Sequence, residues 1–370
     1  MKPRTVLILA VVAILALALA LALSGSRRPE TTPQVSGKLW PGLAEKLDTV
    51  TKVRIGGAGG ETLATLEKGD NGWGMAEKHG YRVDVAKLRD LLDALANAKL
   101  VEAKTSNPNL HSRLGVEDLD DGNARGALVE ITAPDAVRAV IVGDNVGQGN
   151  GTYVRRVDEA QSWLIGNDIA VEKKAPEWLD KSIIDIAARD VTKVEVVPAK
   201  GAKIVIERVE DDTASDFKLL DVPKGREPAE GYTRDALAGV LSMLRFEDVF
   251  TAESEPVPGE GVQRAVFTIA DGRSVQLESW DKDGKLMGRL TMTLDEDAAR
   301  AKLEQRKAVA EVTADADEPA DAIDVDAELA KLRESVEAFG RDRNNWVYVI
   351  PGYKASNLRK GFDEYLKPKD

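Results

Sequence analysis

The sequence predicts an α+β protein: an N-terminal transmembrane helix followed by two tandem similar units, each a mainly antiparallel sheet with one principal helix. Three observations lead there. Val6 to Leu23 is eighteen residues without a charge. The stretch Val191-Thr192-Lys193-Val194-Glu195-Val196-Val197 copies Val50-Thr51-Lys52-Val53-Arg54-Ile55, and the segments after each copy run in parallel. Short alternating apolar runs separated by Gly and Asp-Gly turn signals recur on both sides of one amphipathic stretch in each half.

The apolar run at 6–23 would span about 27 Å as a helix, close to the ~30 Å hydrocarbon core of a bilayer. Lys2 and Arg4 precede it and favour a cytoplasmic N-terminus for residues 1–5, although Arg27 and Arg28 reduce the charge asymmetry. The rival reading is a cleaved signal peptide with Ala20-Leu21-Ala22 at the cleavage site. The length of the run favours an uncleaved anchor. Either way the remainder is exported. Residues 24–48, with Pro29 and Pro33, read as a stalk, and Trp40 packs either on the first unit or at the membrane interface.

The first unit is expected over 49–175. Gly56-Gly57-Ala58-Gly59-Gly60 suits a hairpin tip with positive φ. Asp84 is placed to cap a helix over Val85–Ala98, whose Val85, Leu88, Leu91, Leu92 and Leu95 share one face. Strands come next at Ala127–Thr132, Val137–Val142, Thr152–Arg156 and Ser162–Ile165. A linker helix is expected over 176–190. The second unit, 191–370, repeats the order: strand, strand, Phe217, then a helix capped by Thr233 with Leu237, Val240, Leu241 and Leu244 inward. Strands Ala265–Ile269, Ser274–Trp280 and Trp346–Ile350 complete it. An acidic insertion at 294–345 interrupts this unit, with helices predicted over Asp297–Val309 and Asp326–Phe339.

Composition narrows the function. The chain has 370 residues, 43% of them apolar, enough for two cores. Its formal charge of -12 argues against nucleic acid as a partner. Cysteine is absent, which removes disulfides, thiolate metal sites, thiol nucleophiles and a lipidated Cys. The two histidines, His79 and His111, have no metal-ligand spacing around them and read as surface residues. Gly143 to Gly151 lacks the Gly-Lys-Ser/Thr ending of a phosphate loop and precedes a strand pattern, so it reads as a wide hairpin loop, with a ligand- or partner-contacting role as the sharper alternative. Asp118–Gly122 and Asp281–Gly284 fail the calcium-loop pattern and read as Asp-Gly turns. No residue is nominated as catalytic, cofactor-binding or metal-ligating.

The run Trp73…Tyr81-Arg82-Val83-Asp84…Leu88…Leu91-Leu92…Leu95, then Glu102-Ala103-Lys104-Thr105 and Leu114-Gly115-Val116-Glu117-Asp118, resembles a bacterial family of domains of unknown function, number 4340. Gly151-Thr152-Tyr153-Val154-Arg155-Arg156, Trp163 and Trp178-Leu179-Asp180 share the resemblance. It implies a single-pass envelope protein associated with ABC-type export systems, and it brings no catalytic residue. This leaves two functional expectations. The first is a non-enzymatic, membrane-anchored periplasmic accessory or scaffold protein, with ABC transporter subunits as partners. The second is an envelope hydrolase or glycan-binding protein using a cleft between the two units.

Overall fold

The structure is a computed structural model that describes residues 37–209, 217–313 and 323–368. The expected anchor, 6–23, lies outside the described residues. Among the described residues no helix is long and apolar enough to cross a membrane. The chain divides into two units, one ending at Trp178 and the other starting at Leu179. Helix is mixed with antiparallel sheet in both.

In the first unit the strands are β1 (Gly37–Lys38), β2 (Lys52–Gly56), β3 (Thr62–Gly69), β4 (Gly72–Met75), β5 (Tyr81–Arg82), β6 (Lys99–Ala103), β7 (Ala127–Ala133), β8 (Ala136–Asn145), β9 (Thr152–Arg156) and β10 (Ser162–Ile165). They form one sheet in the order β1-β6-β10-β9-β8-β7-β2-β3-β4-β5, with every neighbouring pair antiparallel. The alternation read from the sequence decides which face is buried. Along β7, Ala127, Val129, Ile131 and Ala133 are buried while Leu128, Glu130 and Thr132 are not. On the other face charged residues pair across strands in register. Arg54 stands opposite Glu130 at 2.9 Å and Lys52 opposite Glu67 at 2.9 Å.

Helix α1 (Val85–Asn97) joins β5 at one edge of this sheet to β6 beside the other, so it crosses a face on the way. The Asp84 carboxylate accepts from the Lys87 amide at 3.1 Å, satisfying one of the otherwise unpaired amides of the first turn. Leu88, Leu91, Leu92 and Leu95 are buried, as their spacing predicts. Burying each contributes on the order of 1.5–3 kcal/mol, more than the cap does.

The second unit holds β11 (Ser182–Ile184), β12 (Val191–Val197), β13 (Ile204–Arg208), β14 (Phe217–Leu219), β15 (Leu244–Arg245), β16 (Val249–Thr251), β17 (Gln263–Ile269), β18 (Arg273–Lys282), β19 (Lys285–Leu294) and β20 (Trp346–Ile350). Its main sheet runs β14-β13-β12-β17-β18-β19-β20-β16, and β11 pairs with β15 alone. The order of connections is that of β4-β3-β2-β7-β8-β9-β10-β6 in the first sheet. Helix α2 (Tyr232–Ala238) again joins one edge towards the other, burying Leu237, with Val240 and Leu241 following in a short 3-10 turn. A further parallel lies behind each sheet. The Asp84 amide donates to the Trp178 carbonyl at 2.8 Å, and the Ala229 amide donates to the Tyr365 carbonyl at 2.8 Å. Both aromatic side chains are buried.

Four expectations are corrected. Residues 37–48 are not stalk: β1 pairs with β6, and Leu39, Trp40 and Leu43 are buried, because three large apolar residues so close to the first strand have a core to enter. Residues 24–36 lie outside the described residues. No α-helix forms over 176–190. A 3-10 turn (Ala175–Trp178) closes the first unit, and β11 with a second 3-10 turn (Ala188–Asp190) opens the next. The β-branched run Ile183-Ile184 favours strand pairing over a helix there. Thr233 is not the cap of α2. Gly231 holds that position without a side-chain bond, and Thr233 is buried inside the first turn. The second unit also carries more than one principal helix, with α3 (Glu296–Thr313), α4 (Val325–Arg343) and α5 (Gly352–Leu358).

The insertion forms both predicted helices, each a few residues longer than its apolar pattern. Ala299, Leu303 and Leu329 make a small buried cluster with Leu294, Val325 and Leu332, and α4 lies against β19. Arg300–Asp326 and Arg333–Glu296 link α3 to α4, but both pairs are exposed and such pairs give only about 0–1 kcal/mol each. Apolar contact holds this hairpin. The centre of the insertion, 314–322, lies outside the described residues.

One backbone crossing in the first unit tolerates no side chain. The connection from β6 to β7 passes Leu114 and Gly115 over the start of β7 and the end of β8. A Cβ on Gly143 would fall 2.3 Å from the Leu114 oxygen, and one on Gly126 would fall 2.4 Å from the Gly115 oxygen. Gly143→Ala should therefore lower stability by about 2–3 kcal/mol, while Gly122→Ala, with open space around it, should stay within about 0.5 kcal/mol. Urea unfolding followed by tryptophan fluorescence tests both.

Acid sensitivity stems from the paired carboxylates. Glu195 is held below its ordinary range by hydrogen bonds from Lys203 and then Lys193; Glu227 by Lys367; Glu296 by Arg333. A carboxyl depressed in the folded chain contributes stability above its unfolded value and loses it as pH falls towards the folded one. The urea midpoint should be flat near neutrality and fall below about pH 4.3, the unfolded glutamate value. A midpoint that rose on acidification would contradict the pairing.

Candidate functional site

Two of the segments that carry the family resemblance, Leu114–Asp118 and Gly151–Arg156, meet at one corner of the first unit. After β6 the chain forms a 3-10 turn (Pro108–Arg113), started by Asn107, whose side-chain oxygen accepts from the Asn109 amide at 3.1 Å. Inside the turn His111 is buried, which corrects its expected surface position. Its Nε2 lies 2.9 Å from the Ala160 carbonyl, so that nitrogen carries the proton and donates. The His111 carbonyl in turn accepts from the amides of Leu114, at 3.0 Å, and Val116, at 3.1 Å. His79, by contrast, is exposed, in left-handed backbone (φ 52°).

Arg155 on β9 locks this loop to the sheet. Its Nε donates to the Val116 carbonyl at 2.8 Å, its Nη1 to the Glu159 carbonyl at 3.1 Å, and its Nη2 to the Asp118 carboxylate. The Arg155 side chain is 5% exposed and that of Asp118 78% exposed, so the pair runs from core to surface. Arg156 points the other way. Its Nε and Nη2 donate to the Leu39 carbonyl at 3.1 and 2.6 Å, and its Nη1 to Glu159 at 2.8 Å. The rim is closed by Arg125, which donates to the Ser112 carbonyl at 2.7 Å and pairs with Asp144 at 2.8 Å. The Arg125 amide donates to Glu117 at 3.0 Å. Each guanidinium here is directed at backbone carbonyls or a neighbouring carboxylate. Such a corner can fix the course of a loop and present Asp118 and Asp144 outward; its arginines are committed as clamps.

The glycine-rich segment 143–151 sits at the same corner and forms the wide hairpin loop expected. The Val146 amide donates to the Gly151 carbonyl at 2.9 Å, and the Gly151 amide donates to the Asp168 carboxylate at 2.6 Å. An amide that faces its own chain's carboxylate does not cradle phosphate. The two Asp-Gly sites are turns. Asp283 (φ 50°) and Gly284 (φ 76°) make the tight link between β18 and β19.

Elsewhere in this unit a notch of about 160 Å³ lies between α1 and the chain before β2, lined by Trp73, Leu88, Leu92, Leu47 and Val50 with Arg89 at its edge. Among the described residues no group of three His, Cys, Asp or Glu could hold a metal ion. Among the described residues the carboxylates with a clear shift are lowered by cationic neighbours, Asp135 by Arg138 and then Lys46. A general acid needs the opposite displacement.

Sequence reasoning passed over Arg155 and His111 because an arginine at a strand end and a histidine in a polar loop both default to solvent. The available signal was the pairing of Leu-Gly-Val-Glu-Asp with Arg-Arg in the family resemblance.

The model of a family described as a domain of unknown function, DUF4340, matches residues 73–260, from β4 to just before β17. No curated protein and no solved structure matches the chain. The matched span takes in α1, the Leu114–Asp118 loop, Arg155 and the entry into the second unit, just over half the length. The chain belongs to the DUF4340 family.

Proposed function

We propose that this protein is a non-enzymatic accessory or scaffold protein of a bacterial envelope, held to the inner membrane by residues 6–23 with both units on the periplasmic side. Its partners in this reading are the permease and ATPase subunits of an ABC-type export system. We read the two units as copies of one α+β fold, on the shared order of strand connections and the matching aromatic residues Trp178 and Tyr365.

The observation that carries the reading is the use of buried and half-buried cations. Arg155 and Arg156 hold Val116 and Leu39. Arg234 donates to the Phe217 and Ala229 carbonyls, both at 2.7 Å. Lys354, lowered from its ordinary value by burial, donates to the Gly239 and Ser242 carbonyls at 2.7 and 2.8 Å. Hydrogen bonds from charged donors contribute about 1.5–3 kcal/mol each and fix geometry. Cations placed in this way stiffen a docking body and leave reactive chemistry to a partner.

Affinity purification of the full-length chain from its own host in mild detergent, after crosslinking, tests the proposal. Mass spectrometry should find permease and ATPase subunits in stoichiometric amounts. Recovery of the chain alone, or turnover of an envelope glycan by the purified protein through a defined residue, would overturn it.

A further inference from the structure

We propose that the second unit binds a phosphate monoester in a cavity at the end of its sheet where β17 begins and β18 finishes. The cavity measures about 190 Å³. Pro198–Lys200, the chain at Gly261, the strand ends at Gln263 and Ser279–Asp281, and Leu358–Gly361 at the end of α5 surround it. Leu286 and Leu358 are buried and give it an apolar floor.

Three cations line this cavity, Lys200, Arg359 and Lys360, against one acid, Asp281. The surplus of positive charge stands out in a chain of net charge -12. Asp281 also does not cancel its neighbours evenly. It accepts from Arg359 Nε at 3.0 Å and so orients that guanidinium, leaving both lysines for something else. Lys200 has no hydrogen bond or ion pair among the described residues. Lys360 has a single long contact, 3.5 Å to the Asn357 side-chain oxygen. Like charges gathered around one hollow repel each other, and an anion entering it relieves that repulsion.

A second observation is independent of charge. Ser279 lines the cavity and is 2% exposed, yet among the described residues its hydroxyl has no hydrogen-bond partner. Its oxygen keeps a small accessible surface, so the donor and acceptor it offers are open to a ligand in the cavity. A ligand oxygen in the cavity would supply the partner. Gln263 braces the wall, its Nε2 donating to the Leu358 carbonyl at 2.8 Å.

These groups point to one ligand class. Two surplus positive charges match a phosphomonoester, which carries about -1.5 to -2 at neutral pH, better than a single carboxylate. An oriented guanidinium, two ammonium groups and a hydroxyl donor suit the several oxygens of a tetrahedral phosphate. The volume holds that group with a short organic stem over the Leu286–Leu358 floor. The stem belongs either to a free phosphate ester or to the headgroup of a phosphate-bearing lipid. The site stands apart from the accessory role and does not depend on it.

Isothermal titration of the full-length chain in neutral detergent distinguishes the two sources. One arm uses glycerol 3-phosphate; the other uses mixed micelles of equimolar phosphatidylcholine and phosphatidic acid, against phosphatidylcholine alone. Saturable binding that weakens with salt is expected in one or both arms, the responding arm naming the source. Lys200→Gln combined with Lys360→Gln should weaken it by about tenfold or more, the consequence of losing charge-assisted hydrogen bonds. Ser279→Ala should weaken it with the unfolding midpoint maintained. No saturable binding in either arm, or unchanged affinity in the folded double variant, overturns the proposal.

Discussion

An open antiparallel sheet with one apolar face has to be covered, and the rest of each unit depends on how this chain covers it. The strand that leaves one edge is followed by an amphipathic helix that returns towards the other edge, so a single segment spans the exposed face. Hydrophobic burial drives this, and the connection order makes it possible within one compact unit. After the last strand the chain turns back, buries Trp178 in one unit and Tyr365 in the other, and uses a backbone carbonyl to fix the segment just ahead of the helix.

Once the faces are covered, the loops remain, and here buried charge does the positioning. Loop carbonyls cut off from water need donors. Arg155, Arg156 and Arg208 supply them from strand ends, Arg234 from α2 and Lys354 from α5. Arginine suits this work, because its planar fork reaches two or three acceptors at once without losing its charge. The cavity at the end of β18 departs from that pattern, since among the described residues Lys200 has no partner and positive charge is left over there.

The insertion at 294–345 illustrates how an acidic, helix-forming stretch is kept on a sheet. Between β9 and β10 the first unit needs only residues 157–161; the corresponding link from β19 to β20 grows into a helical hairpin. Its surface ion pairs are exposed and weakly stabilising, whereas Leu294, Leu303, Leu329 and Leu332 bury against one another. The helices therefore have a docked side and a solvated side.

Sequence alone was enough for the local elements. The helix at Val85–Asn97, its Asp84 cap, the paired strands around Asp135 and the turn at Gly284 were legible, because spacing of apolar residues, a capping carboxylate and turn-forming residues act over a few positions; the strand Lys285–Leu294 that follows that turn was not read. The family was legible too, on motifs that lie within single segments. Tertiary structure decided what depends on distant partners: that Gly37–Lys38 join the first sheet and Leu39, Trp40 and Leu43 are buried, that His111 is buried under Ala160, that Arg155 clamps Val116 and Asp118, and that Lys200, Ser279 and Lys360 share a cavity. These residues are polar or lie in irregular segments, with no periodicity to mark them. Their burial and pairing arise only when strands far apart in sequence are brought side by side.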